Sequence, residues 1–459
     1  MADDVISSLN RSAKLFIDRA SAATVEDAME RLQGFRMHLF IGEAAACSPT
    51  HQAALLSALN CGRRTFLGGV TVSGALEVPL LAKVAAGETL ADAVSSLCGT
   101  VIGDIPEGVP LVCVGAPPAI GAVEFAVRTT FDGWRGGVIP LASAPLPEQV
   151  EFTPAGVLGG ALAVSELFAH FDGDAMAGYR SAGMSLWDQS AADWASPASD
   201  GPSPRQLPSD FWVIGLGHLG QAFIWTIGLL PFASSKEVRL FLQDVDEAGR
   251  STESTSVLTF DRDEGRQKTR ICSDWAERRG FRTRLIERCF DADLRVAHDE
   301  PALALCGVDN TQTRAILEGA GFASVFEAGL GAGVEDFRLI RTHSFPAPVG
   351  AEEVWADEGS GAELGGEADR PVPLPPAYND LRNQGAIDDC GLTRLAEVAV
   401  GAPFVGMTAA AVLISQVLRM VAGGRRPTVS NLDLRALQHR TLVEREGTDI
   451  VIFGTAMSR

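Results

Sequence analysis

A glycine-rich run near the middle of the chain, "FWVIGLGHLG" at 211–220, constrains the fold more than any other stretch. Apolar residues lead into Gly215, Gly217 and Gly220, a spacing typical of the turn between a buried parallel strand and a helix. The backbone N–H groups of such a turn, together with the helix N-terminus, bind phosphate. The run therefore predicts a nucleotide-binding site in an α/β fold.

A carboxylate follows the next apolar strand, "EVRLFLQDVD" at 237–246. Asp244 stands where a carboxylate often holds the ribose hydroxyls of a bound nucleotide. The glycines and Asp244 together fit an NAD-dependent oxidoreductase as well as an ATP-binding protein. Both alternatives stay open on these residues alone.

The two halves of the chain contain a weak internal repeat, since "HLFIGEAAAC" at 38–47 parallels the glycine-rich run. Short β-branched segments alternate with helical ones in both halves and predict two tandem doubly wound α/β units. Domain boundaries are expected at 1–190, with a linker at 191–210, and at 211–459. The first unit is expected to be degenerate, because Gly217, Gly220, Asp244 and Asp309 of the second half are matched by Ala44, Cys47, Gly69 and Ala116.

Composition excludes several classes of protein. A net charge of -20 argues against nucleic-acid binding, which needs a basic face. The longest apolar runs, such as 403–418, are short and rich in alanine and glycine, so no membrane span is expected. None of the eight cysteines forms a Cys-x-x-Cys pair, so no zinc site is expected, and their scatter through apolar segments predicts buried thiols in a cytoplasmic protein.

A set of motifs follows the glycine-rich run in a fixed order. Lys268 lies in the pattern Gly265-x-x-Lys268, Asp309 follows another apolar strand, and "PFVG" at 403–406 opens an apolar helix. In this order the chain resembles the ThiF/MoeB superfamily of adenylating enzymes, which activate ubiquitin and sulfur-carrier proteins. The resemblance covers roughly 206–459, and the repeat extends it to the whole chain as a pseudo-dimer of ThiF-type units.

The resemblance implies that the nucleotide is ATP. Lys268 would lie on the α-phosphate, and Asp309 would hold the Mg²⁺ that screens the pyrophosphate leaving group. Asp244, Asp246 and the glycine loop would bind the nucleotide. Such a site must neutralise charge, because a carboxylate attacking a phosphate brings two anions together.

The family's arginines are only partly matched. An arginine from the partner unit reaches ATP in the family, and Arg11 or Arg19 would supply it here, with Arg11 in the motif that is more similar. An Asn and an Arg that help bind the ATP phosphates in the family are replaced by Thr252 and Thr255. Another arginine substitutes for them, or phosphate binding is weaker.

Cys390 is the remaining candidate for chemistry. It follows an acidic stretch rich in Gly and Pro at 345–378, expected to be a functional loop or a disordered insert within a crossover-loop insert at about 345–392. Cys390 reads as the only cysteine in a polar setting, near the start of a predicted helix whose dipole favours thiolate, although Asp388 and Asp389 oppose this. Several family members carry a thioester-forming cysteine at this place.

The resemblance implies an enzyme that adenylates the C-terminal glycine of a ubiquitin-like protein, forms a thioester on Cys390 and passes the modifier to a conjugating enzyme. The compact layout resembles the activating component of bacterial ubiquitin-like conjugation operons (BIL-type), some of which act in antiviral defence. Adenylation without thioester formation, an NAD-dependent oxidoreductase and a non-catalytic scaffold remain as alternatives.

Overall fold

Two mixed β-sheets form the framework of the molecule in a computed structural model, which describes residues 8–121, 123–360, 374–445 and 454–458. This confirms the predicted α/β fold. The strands are β1 (Met37–Ile41), β2 (Val70–Gly74), β3 (Thr100–Val101), β4 (Leu111–Val114), β5 (Ala126–Asp132), β6 (Arg135–Pro140), β7 (Ala182–Ser185), β8 (Gln206–Pro208), β9 (Asp210–Ile214), β10 (Arg239–Gln243), β11 (Arg282–Ile286), β12 (Leu303–Cys306), β13 (Ser324–Leu330), β14 (Leu339–Phe345), β15 (Arg426–Asp433), β16 (Thr441–Arg445) and β17 (Thr455–Met457).

The helices connect these strands, and four of them lie between the two large sheets. The helices are α1 (Ala13–Asp18), α2 (Val25–Gly34), α3 (Glu43–Ala46), α4 (Pro49–Thr65), α5 (Leu90–Ser96), α6 (Thr153–Phe171), α7 (His218–Gly228), α8 (Lys268–Glu277), α9 (Thr311–Ala315), α10 (Ala351–Ser360), α11 (Pro376–Asn383), α12 (Asp389–Glu397) and α13 (Pro403–Val421). Local sequence explains several boundaries. Ser48, for example, caps α4 and is followed by proline at the first helical position.

The two sheets have the same topology. The first has the order β3-β2-β1-β4-β5-β6-β7, and the second has β11-β10-β9-β12-β13-β14-β15 with β16 added at its edge. In each sheet the first five strands of that order are parallel, and the following strands are antiparallel. The sheets are thus mixed, and each half contains one of them.

The register of the second strand corrects one match of the sequence repeat. Gly74 in β2 and Gln243 in β10 each lie beside the last residue of the central strand. Asp244 is therefore matched by Ala75. The expected match, Gly69, is wrong, because Gly69 lies before β2, in the turn between α4 and β2, whereas Asp244 lies directly after β10.

The register of the fourth strand shifts a second match by one position. Val114 in β4 and Cys306 in β12 lie beside the ends of the central strands. Asp309 lies three positions after Cys306, and Pro117 lies three positions after Val114. The expected match, Ala116, is wrong by one residue, because an apolar strand offers no polar side chain by which to align it.

Four helices form the layer between the two sheets. Within it α6 packs on α4 and on α13, which also packs on α7. Both α6 and α13 are long and apolar enough to cross a membrane, but 89% of the most apolar window of each is buried inside the protein. One hydrophobic core includes residues from both halves, such as Leu59, Leu158 and Leu413.

The segments predicted to be irregular are partly ordered. The predicted linker at 191–210 includes β8, which pairs with β17 near the C-terminus. The acidic stretch at 345–378 contains α10 and the start of α11, so the expectation of a loop or disordered insert is wrong for these parts. Its middle, 361–373, lies outside the described residues. The N-terminal segment before β1 forms α1 and α2 in its described part.

Candidate functional site

A cleft of about 1340 Å³ opens at the C-terminal ends of β9, β10 and β12. This is the edge of a parallel sheet at which ligands bind in open α/β folds. Most of the residues singled out by sequence line it: Arg11, Gly215, Gly217, Asp244, Asp246, Lys268 and Asp309. Gly220 and Cys390 do not line it.

The glycine loop presents a free helix N-terminus to the cleft. Gly215 has φ of +79°, in the left-handed region that favours glycine. Gly217 caps α7 without a side-chain hydrogen bond, and no atom lies within 4 Å of the position of a side chain there. Gly220 serves packing instead, since a methyl group on it would collide with the carbonyl of Gly215. The first N–H groups of α7 are thus placed to receive an anion.

Asp244 organises the loop from the neighbouring strand. Its Oδ2 accepts a hydrogen bond from the Leu216 N–H at 2.6 Å, and its Oδ1 accepts one from the Asp246 N–H at 2.8 Å. The carboxylate therefore fixes the glycine loop relative to β10. Its predicted contact with ribose stays a prediction.

Lys268 is held at the cleft by Asp246. The Lys268 Nζ lies 2.7 Å from Asp246 Oδ2, and the Lys268 N–H donates to the Asp246 carbonyl at 3.0 Å. The lysine side chain is 14% exposed and the aspartate side chain is 63% exposed. The Lys268 ammonium group is thus mostly buried at the cleft, whereas the Asp246 carboxylate that pairs with it is exposed to solvent.

Arg11 reaches this second-half cleft from the N-terminal segment. Its N–H donates to Ser254 Oγ at 3.2 Å, and its carbonyl accepts from the Gly401 N–H at 3.3 Å. Burial lowers the pKa of the Arg11 guanidinium, and the nearby Asp309 carboxylate opposes this shift. Arg19, the alternative arginine, lies elsewhere, because it pairs with Asp172 at 2.7 Å.

A serine- and threonine-rich segment forms one wall of the cleft. Ser251, Thr252, Thr255 and Ser256 all line it. Arg250, beside them in sequence, pairs with a glutamate and does not line it. The positions where the family has Asn and Arg thus offer hydroxyl groups, which can donate to phosphate oxygens without adding positive charge.

Sequence reasoning missed His218 and Arg288, which also line the cleft. His218 stands inside the glycine-rich run, but its main partner, Gly406, is 188 positions away in sequence. No local pattern reveals such a contact.

The cysteines differ from expectation. Cys390 is exposed in the first turn of α12, which Asp388 caps by accepting from the Gly391 N–H at 2.8 Å. Cys47, Cys98 and Cys289 are exposed as well, so the view that Cys390 alone has a polar setting is wrong, and Cys289 lines the cleft. The other four, Cys61, Cys113, Cys272 and Cys306, are buried, and burial raises the pKa of each thiol.

Cys390 lies close to the cleft along its helix. Arg394, four residues later in α12, lines the cleft, and four helical residues advance about 6 Å along the axis. The exposed thiol is therefore near the rim, outside the lining.

The donors at the cleft fit a magnesium–nucleotide complex. No group of three or more His, Cys, Asp or Glu side chains that could hold a metal occurs among the residues described above. Mg²⁺ in nucleotide sites takes one or two carboxylates and completes its shell with phosphate oxygens and water. Asp309 at the cleft suits that role.

Family models match most of the chain. A model described as the BilD N-terminal domain matches residues 36–186, and one described as the BilD C-terminal domain matches residues 207–424. A curated relative, "Bacterial E1-like protein BilD" from Collimonas sp. (strain OK412), is 41% identical over 419 residues, covering 91% of this chain and 89% of the relative. The chain belongs to the BilD family of bacterial E1-like proteins. Membership in the BilD family confirms the resemblance to E1-like enzymes.

Solved structures with a similar arrangement are more distant. Crystal structures of E. coli MccB with MccA and with ATP are each 13% identical, with TM-scores of 0.33 and 0.32. They match 53% and 54% of this chain, and 65% and 66% of their own. PaaA is 14% identical with a TM-score of 0.32, over 62% of this chain and 72% of its own.

Proposed function

We propose that this chain activates a ubiquitin-like protein by ATP-dependent adenylation of its C-terminal carboxylate. One observation carries the proposal: a single cleft gathers the free N-terminus of α7, the Lys268 ammonium, the Arg11 guanidinium and the Asp309 carboxylate. The E1-like family supports adenylation over the oxidoreductase alternative.

The residues of the cleft match the charges of this reaction. The modifier's carboxylate attacks the α-phosphorus of ATP, the bond to the bridging oxygen breaks, and pyrophosphate leaves. Lys268 and Arg11 offset the negative charge that accumulates as the two anions meet. Asp309 would hold Mg²⁺, which when bound screens the pyrophosphate.

We propose further that the two halves form a pseudo-dimer with a degenerate first unit. The matching topologies support this, and so do Ala75 and Pro117, which cannot replace the carboxylates of Asp244 and Asp309. In this view the first half supplies Arg11 and support in place of a second active site.

Cys390 is proposed to receive the modifier. Its thiol would lose a proton to solvent, the thiolate would attack the acyl carbon of the adenylate, and AMP would leave. The exposed position at the start of α12 supports this role, because helix N-termini stabilise thiolate and an exposed sulfur is open to a conjugating enzyme.

The proposal is tested by pyrophosphate exchange into ATP with a glycine-terminated ubiquitin-like protein from the same genome. We expect exchange by the wild type, and a loss of about a hundredfold or more in Lys268→Ala and in Asp309→Ala, because each removes charge compensation at the reacting phosphate. A thiol-sensitive adduct should form with the wild type and with Cys289→Ala, the matched cysteine control, but not with Cys390→Ala.

Different outcomes separate the alternatives. If Cys390→Ala still exchanges pyrophosphate into ATP and the wild type forms no thiol-sensitive adduct, the protein adenylates the modifier without forming a thioester. A melting temperature raised by NAD and not by MgATP would support the oxidoreductase, because only a ligand that binds the folded state stabilises it. No response to either nucleotide would favour a scaffold.

A further inference from the structure

His218 joins the glycine loop to another helix. It is the first residue of α7, directly after the cap Gly217, and its half-buried ring lines the cleft. The Gly406 N–H in α13 donates to His218 Nε2 at 3.2 Å. The imidazole thus binds the first turn of α13.

Gly406 is shaped to admit this ring. A methyl group at Gly406 would collide with the imidazole. Glycine inside a helix costs up to about 1 kcal/mol relative to alanine, so its presence in the first turn of α13 has a packing reason here. His218 and Gly406 therefore form a complementary pair.

The same turn of chain holds Arg11. Gly401, just before α13, donates its N–H to the Arg11 carbonyl at 3.3 Å, and its own carbonyl accepts from Ser12 Oγ at 2.9 Å. The segment 401–406 thus contacts the histidine on one side and the backbone of Arg11 on the other. Hydrogen bonds at its two ends therefore connect the helix that follows the glycine loop to the backbone of Arg11.

The charge of the ring suits this place. Burial, with a smaller contribution from the nearby Arg11, lowers the pKa of His218 to about 4. The imidazole is therefore neutral near neutral pH. It can accept from Gly406 and adds no second positive charge beside the guanidinium.

We infer that His218 is a positioning residue for Arg11, setting the distance between the guanidinium and the phosphate-binding loop through the start of α13. The inference rests on the proposed function, because it assigns Arg11 to the phosphates of ATP. It adds a requirement on a residue that is connected to the backbone of Arg11 through the segment 401–406.

A double-mutant cycle on MgATP affinity tests the inference, measured by calorimetry on the full chain. Arg11→Ala should weaken binding about tenfold or more, the loss of a charge-assisted contact. His218→Ala should weaken it several-fold, and adding it to Arg11→Ala should cause no further loss. His218→Asn, which can still accept from Gly406, should restore part of the affinity.

Gly406→Ala provides an independent variant, because it displaces the ring and leaves the histidine intact. We expect it to behave like His218→Ala, whereas Gly34→Ala, at a helical site with open space around it, should match the wild type. Losses that multiply in the double mutant, or a His218→Ala variant with wild-type affinity, would overturn the inference. A wild type that binds no MgATP would instead overturn the proposed function.

Discussion

His38 in β1 is fully buried, and both of its ring nitrogens are occupied by hydroxyl groups. Nδ1 lies 2.8 Å from Thr71 Oγ1, and Nε2 lies 2.8 Å from Ser73 Oγ. Burial lowers the pKa of His38 from 6.5 to about 4. The unfolded chain therefore binds more protons than the folded chain between these pH values, and stability rises with pH across this window.

We predict that His38→Gln flattens this dependence. The wild type should lose stability as pH falls from 6.5 towards 4, by at most about 3 kcal/mol for this residue, since one pKa unit corresponds to about 1.4 kcal/mol. Urea unfolding at about pH 4.5 and about pH 7 measures the slope. The exposed His298→Gln should keep the wild-type slope, and an unchanged slope in His38→Gln would contradict the prediction.

At the scale of elements, α4 of the first half holds the cleft wall of the second. Arg64 Nε donates to the Glu253 carbonyl at 2.8 Å, and its Nη2 donates to the Thr259 carbonyl at 2.8 Å. Asn60 Nδ2 donates to the Val257 carbonyl at 3.1 Å. These bonds fix the backbone of 253–259, which carries Thr255 and its neighbours into the cleft.

We predict that Arg64→Met destabilises the protein by about 2–4 kcal/mol, because it leaves buried carbonyls without donors. MgATP affinity should fall as well, since the wall of the cleft loses its support. Arg63→Met is the matched control: Arg63 is partly exposed and pairs with the Glu253 side chain at 2.7 Å. Its effects should be smaller in both urea unfolding and calorimetry, and equal effects would count against the role of Arg64.

The contact of Arg64 with the cleft wall could not be predicted from the sequence, whereas parts of the site could. The glycine loop, Asp244 and Lys268 could be placed together because each follows a strand or begins a helix with a recognisable local spacing. The contact of Arg64 with Glu253 spans 189 positions and has no local signature. The match of Gly69 to Asp244 failed for a related reason, since a six-residue apolar run cannot tell the end of a helix from a strand.

At the scale of the whole molecule, the halves share one core. Glycines allow α6 to lie directly on α4: side chains at Gly156 and Gly160 would collide with the carbonyls of Thr50 and Ala54. Across the halves, Trp225 Nε1 in α7 donates to Ser57 Oγ in α4 at 3.0 Å. A smaller, separate core, which includes Trp212 and Phe241, belongs to the second half alone. We still expect the two halves to unfold together, because the larger hydrophobic core contains residues of both sheets.

We predict that Gly160→Val separates α6 from α4 and destabilises both halves. The valine needs space that the α4 backbone occupies, so the central helices must move apart and cavities open along α13. Hydrogen exchange read by mass spectrometry should show that β1 and β9 lose protection together, whereas Gly34→Ala, where nothing lies within 4 Å of the new methyl group, should leave both protected. Loss of protection confined to β1 would mean that the two halves are energetically independent. The first half, which carries Arg11, could then unfold while the second half stays folded.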